Sequence, residues 1–152
     1  MVFFDTVKSL LNRAFAALFA AVLLAACATR GPSAGVTLYA RMGGAPVVAK
    51  VVDDVIERSA ADPRTGRSFK DAKLARIKEK LREQICALAG GPCSYTGDPM
   101  AEVHKGLKIN ESEFYVMVQF LRESLERAGV GDAEKNDLLR LLAPMKREIV
   151  FG

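Results

Sequence analysis

The sequence predicts an all-α domain, and three observations carry that prediction. Apolar residues recur at three- and four-residue spacing through Leu74, Ile77, Leu81, Ile85 and Leu88, again through Phe114, Met117, Val118, Leu121 and Leu125, and again from Leu138. That period lays them along one face of a helix. Breaks rich in Gly and Pro separate the runs, and no stretch alternates apolar with polar residues as a half-buried strand would. At 152 residues, 50 % hydrophobic and 26 % charged, the chain suits one core plus an appendage rather than a disordered polymer.

The appendage comes first. Lys8 and Arg13 precede an uncharged run from Ala14 to Ala26 that ends at Cys27. A positive flank, a short apolar run and small residues at its end describe a secretory signal peptide, expected over 1–26; a membrane-spanning helix needs about 20 apolar residues. Leu24-Ala25-Ala26-Cys27 resembles the lipobox of bacterial lipoproteins, whose cysteine is lipidated and becomes the mature N-terminus. An ordinary signal peptide with an incidental cysteine, or a retained short anchor, are the alternatives. The lipobox reading makes Cys27 a membrane anchor and 27–36 a lipidated, small-residue tether. The domain at 37–152 then faces the periplasm or the exterior, and Ala28 after the cysteine favours the outer membrane. Losing Asp5, Lys8 and Arg13 lowers the formal charge from +4 to +3, too slight a balance to imply nucleic acid.

Cys86 and Cys93 remain once Cys27 is assigned to lipid. Seven residues apart in an oxidising compartment, they are candidates for a disulfide closing a small loop. The alternative is two separate thiols, Cys86 buried and Cys93 free in a loop. Without a CxxC or four ligands, a structural zinc site is not expected.

Along the domain, Thr37 to Arg41 reads as a short first turn broken by Gly43-Gly44. Pro46 then opens a helix to about Ala61, and Asp62-Pro63-Arg64-Thr65-Gly66 stops it. The run from Leu74 to Leu88 is strongly amphipathic, its other face filled by Lys73, Arg76, Lys78, Glu79, Lys80, Arg82 and Glu83. Gly90-Gly91-Pro92 ends it, and a loop and short turn follow. Asn110-Glu111-Ser112-Glu113 has the form of a capping box opening the helix whose buried face is expected to be Phe114, Met117, Val118, Leu121 and Leu125. Asp132 is positioned to cap a last helix, in which Pro144 predicts a kink.

The short turn carries His104, the only histidine of the chain. Taken alone, a lone histidine is more commonly a surface or packing residue than a ligand. Its surroundings change that. Leu38-Tyr39, Gly43-Gly44, Val51-Val52-Asp53-Asp54, Ala61-Asp62-Pro63, Phe69, Gly90-Gly91-Pro92, Tyr95-Thr96-Gly97, Pro99-Met100, Val103-His104, Gly106-Leu107, Ile109, Phe114 and Leu142-Ala143-Pro144 stand in the order seen in group I truncated haemoglobins. The resemblance runs from about Leu38 to Val150.

That resemblance implies a two-over-two helical sandwich around one haem b, with His104 as the proximal iron ligand through a neutral ring nitrogen. It implies haem contacts from Phe69, wedged against the ring, from Phe114, and from Met100, Ile77 and Leu81. Arg76 and Lys80, and more weakly Tyr95 and Thr96, are placed to meet the propionates, although a solvated helix face is the ordinary role of such residues. Lys80 is a lesser candidate for a sixth iron ligand, which would require it to lose its proton.

The distal side departs from the family. Ile56 stands where many members have tyrosine and Leu81 where they commonly have glutamine, with Ile77 and Ile85 adding apolar bulk. Gln84 is the one nearby amide able to turn inward, though solvent is its expected direction. The expected function is reversible binding of dioxygen, carbon monoxide or nitric oxide, with weak dioxygen affinity. A nitric oxide dioxygenase or haem peroxidase with an unidentified redox partner, and a non-catalytic haem carrier or interaction module, are the alternatives.

Overall fold

A valine-rich helix face organises the architecture. The structure, a computed structural model, describes residues 35–151. The expected signal peptide, Cys27 and nearly all of the tether lie outside the described residues.

Among the described residues there are seven α-helices, two 3₁₀ turns and no strand. Helix α1 spans Leu38–Arg41, with the Thr37 hydroxyl accepting the Ala40 N–H at 3.3 Å. Helix α2 spans Gly44–Ala61, starting two residues before Pro46 rather than at it. Gly43, at φ +102°, turns the chain straight into the helix. Pro46 is accommodated because first-turn N–H groups have no acceptor in the helix.

A 3₁₀ turn at Gly66–Phe69 leads to α3, Leu74–Leu88; α4 is Met100–His104 and α5 is Glu111–Arg127. Helix α6 is Asp132–Leu142, followed by a 3₁₀ turn at Ala143–Met145 and α7 at Lys146–Ile149. Pro144 thus breaks the last helical run where its missing N–H and ring require. Asp132 is not the cap. It is the first helical residue after Gly131, and its carboxylate pairs with the Lys135 ammonium at 2.7 Å instead of receiving a backbone N–H.

Helix α2 buries Val48, Val51, Val52, Val55 and Ile56 and packs against both α3 and α5, which make little contact with each other. Leu38, Met42, Ile85, Ala89, Leu125, Val130 and Leu138 complete the core. Along the α2–α5 seam, Asp54 accepts from Ser124 and Arg127, Arg58 pairs with Glu123, and the Arg58 guanidinium lies 4.2 Å from the Phe120 ring centre.

The buried face of α5 is wider than expected. Of the expected residues, Leu125 is part of the core that α2 builds and Met117 and Leu121 pack against it while staying partly exposed, as Phe114 and Val118 do. Glu113, Val116, Phe120 and Ser124 are buried in addition, Phe120 against the Arg58 guanidinium. On α3, likewise, Gln84, Ile85 and Cys86 are buried while Leu74, Ile77, Leu81 and Leu88 are half-buried.

Leu138 is fully buried, so Leu138→Ala is expected to lower unfolding free energy by about 2–5 kcal/mol in chemical denaturation, through lost transfer energy and the cavity left behind. Leu141→Ala, at a residue 38 % exposed, is expected to stay within about 0.5 kcal/mol.

Candidate functional site

His104 closes α4, and its ring is oriented from within that helix. Nδ1 lies 2.8 Å from the carbonyl oxygen of Met100, one turn back. A carbonyl only accepts, so Nδ1 donates to it, which leaves Nε2 as the ring nitrogen available to a metal. No hydrogen-bond partner for Nε2 exists among the described residues. The ring is half-buried.

The segment leading to α4 is tied to α3. Helix α3 ends in a Schellman arrangement, Gly90 at φ +76° and the Gly91 N–H reaching the Cys86 carbonyl at 2.7 Å. A side chain at Gly91 would meet the Cys86 sulfur and the Tyr39 ring, which is why the second glycine is needed. Cys86 and Cys93 form a disulfide across this turn, with Cα atoms 5.8 Å apart. Farther along, the Glu83 carboxylate accepts the Thr96 N–H at 3.1 Å and its hydroxyl at 2.8 Å. Lys80 completes the cluster, donating to Glu83 at 2.8 Å and to the Thr96 oxygen at 2.7 Å.

Several residues singled out in the sequence converge on the half-covered faces. Phe69, Ile77 and Leu81 pack against the core while remaining partly exposed, as do Met117 and Leu121. Phe114 and Met100 are also half-buried. Ile56 and Ile85 are fully buried beneath them in the core. Arg76 is exposed and has no ion-pair partner among the described residues. The Tyr95 hydroxyl donates to the Asp98 carbonyl at 2.8 Å.

Two expectations change. Gln84 does not face solvent: it is 8 % exposed, and its amide nitrogen lies 3.4 Å from the Met100 sulfur and 3.5 Å from the Met145 sulfur. The expected solvent orientation fails because α3 turns this position toward α4 and the C-terminal segment. Its amide is therefore engaged by the histidine-bearing helix, not by the side chains around Ile56. Lys80 is occupied as an ammonium, its pKa raised above the ordinary value first by the Glu83 hydrogen bond. That pairing opposes the deprotonation an iron-ligating lysine requires.

These features fit a haem. Partly covered apolar side chains on α3 and α5, helices that scarcely touch each other, suit contact with a flat apolar ring, and the donor set provides one imidazole nitrogen without a hydrogen-bond partner. Nothing in the sequence marks Glu83 or Met145 for this region. Glu83 sits among charges that read as a solvated helix face, and Met145 follows a helix-breaking proline.

An all-helical domain with these apolar faces and this histidine fits the class of haem-binding globins. Residues 37–151 match the family described as Bacterial-like globin. The Group 1 truncated hemoglobin GlbN of Mycolicibacterium paratuberculosis is 34 % identical over 116 residues, covering 76 % of this chain and 85 % of that protein. The Fe(III) crystal structure of truncated hemoglobin from Tetrahymena pyriformis superposes with a TM-score of 0.73 at 25 % identity, covering 77 % of this chain and all of that one. The structure of Chlamydomonas reinhardtii THB1 gives 0.63 at 26 % identity, over 80 % of this chain and all of that one. The chain belongs to the bacterial-like globins, among the group 1 truncated haemoglobins. Its fold is the two-over-two globin fold, its cofactor haem b, and its activity the small-gas binding expected of that family.

Glu83 provides a pH test of the tether. The Lys80 hydrogen bond, followed by those from Thr96, lowers its pKa to about 2. A carboxylate depressed in the folded state contributes stability above its unfolded pKa, and the contribution is lost as pH falls through the folded value. Carbon-detected NMR titration is expected to give a Glu83 midpoint near 2, with the Thr96 amide shift following it. Glu83→Gln is expected to abolish both transitions.

Proposed function

We propose that this globin is a binder of small diatomic gases, with His104 as its proximal ligand and an apolar distal wall that holds dioxygen weakly. The observation that carries the reading is the imidazole of His104, its Nδ1 fixed by the Met100 carbonyl and its Nε2 without a hydrogen-bond partner among the described residues. Phe69, Ile77, Leu81, Phe114 and Met100 would hold the haem ring. Exposed Arg76 is the most available cation for a propionate, and Lys80 would reach one only by sharing its ammonium with Glu83. Bound haem iron supplies an open coordination position for a gas.

The wall beside that position comes from Ile56, Ile77 and Leu81, none of which has an N–H or O–H to donate. A gas that gains negative charge on binding thus loses a charge-assisted hydrogen bond, on the order of 1–3 kcal/mol, while carbon monoxide depends on it less. The same lack of a donor, and of any second histidine, weighs against the nitric oxide dioxygenase activity of some truncated globins and against peroxidase chemistry.

Optical spectra of the mature domain test the reading. A ferrous form that is five-coordinate and shifts its Soret band with carbon monoxide supports it; a six-coordinate ferrous form or the absence of a haem band refutes it. Ile56→Tyr is expected to slow dioxygen release by about tenfold to a hundredfold in stopped-flow mixing, with a smaller change for carbon monoxide.

The proposed setting is the cell envelope, with Cys27 lipidated and the globin outside the cytoplasm, favouring the outer membrane. The lipobox-like Leu24-Ala25-Ala26-Cys27 supports it, as does the Cys86–Cys93 disulfide, which suits an oxidising compartment. Metabolic labelling with a fatty acid is expected to mark the wild-type protein, and Cys27→Ser is expected to lose the label.

A further inference from the structure

We infer that Arg67 is a positioning residue for the proximal histidine, acting through the turn that follows His104. The inference rests on His104 being the iron ligand. No local signal in the sequence connects the residues involved, because Arg67 lies 46 positions from Glu113 and 40 from Leu107.

The guanidinium makes four hydrogen bonds at once. Its Nε donates to Glu113 Oε1 at 2.5 Å and its Nη2 to Glu113 Oε2 at 2.6 Å, a two-toothed pairing of fork and carboxylate. Its Nη1 donates to the Leu107 carbonyl and its Nη2 to the Lys108 carbonyl, both at 2.9 Å. Glu113 is the anchor: its side chain is 9 % exposed, and its Oε2 also accepts the Asn110 N–H at 2.9 Å within the α5 capping box. Arg67 thereby joins the Phe69 turn, the end of the His104 segment and the start of α5.

The backbone shows what the clamp holds. Gly106 lies at φ +81° and Lys108 at φ +49°, and Lys108 is the only non-glycine residue with positive φ among the described residues. A lysine resists that conformation sterically. It adopts it here with its carbonyl in the Arg67 fork. The Leu107 N–H reaches back to the His104 carbonyl at 3.1 Å, so the held turn begins at the histidine itself. Upstream, α4 is restrained through Thr96 and the disulfide; downstream, Arg67 is the long-range side-chain restraint on this turn.

The test uses the haem-loaded protein and the variants Arg67→Met, Arg67→Lys and Arg67→Met/Lys108→Gly. Met keeps the stem without the fork, and Lys keeps the charge without the planar geometry. Resonance Raman of the ferrous form reads the iron–histidine stretch, and transfer of haem to an excess of apomyoglobin reads its retention. Arg67→Met is expected to shift or broaden that band and to speed haem loss on the order of tenfold. Arg67→Lys is expected to behave likewise, and adding Lys108→Gly to recover part of the haem retention, since glycine takes positive φ freely. If Arg67→Met does not fold, Arg67→Lys is read by the same criteria. A band and haem-loss rate unchanged from wild type, even with a lowered denaturation midpoint, would overturn the inference. A wild-type protein without an iron–histidine band would instead overturn the assignment of His104.

Discussion

The packing of α3 and α5 on either side of the same helix is the constraint from which the rest follows. Helix α2 presents Val48, Val51, Val52, Val55 and Ile56 and is covered from two directions, so its neighbours need not cover each other. Area burial of this kind is the main favourable term in folding. Ile77 and Leu81 on α3 with Met117 and Leu121 on α5 pack against this core and stay partly exposed at its margin.

Polar groups do a complementary job around His104. The helix carrying it has only five residues, too short to hold its place by its own hydrogen bonds. Its position comes from side chains that satisfy backbone groups of the adjoining loops: Glu83 on Thr96 before it, Arg67 on Leu107 and Lys108 after it. Each bond ties an irregular loop to a regular helix or its cap, converting helix rigidity into placement of one imidazole. The Met100 carbonyl then sets the tautomer.

The helices were legible because amphipathic periodicity and caps are local: α3 runs over the residues its apolar spacing marks, and Asn110 and Glu113 form the capping box their spacing implies. How wide the buried face of α5 is was not legible. Met117, Leu121 and Leu125 meet the core as their period implies, whereas the burial of Glu113, Val116 and Phe120 depends on neighbours that a period does not name. His104 stood out through the motif around it, whereas the ties that place it join residues far apart in sequence whose types read as surface charge. Gln84 shows the same limit from the opposite direction. A glutamine preceded by Arg82 and Glu83 looks solvent-facing, yet helix rotation buries it against two thioethers.

The partly covered apolar side chains also bear on how stable this protein is in a cell. Without haem, those on α3 and α5 lack the ring that would finish covering them. Because haem binds the folded chain and not the unfolded one, each tenfold excess over its dissociation constant adds about 1.4 kcal/mol to the folded state. Abundance and cofactor supply are thereby linked through mass action alone. Chains made when haem is scarce carry less of this stabilisation, so the folded fraction of the globin follows its haem supply.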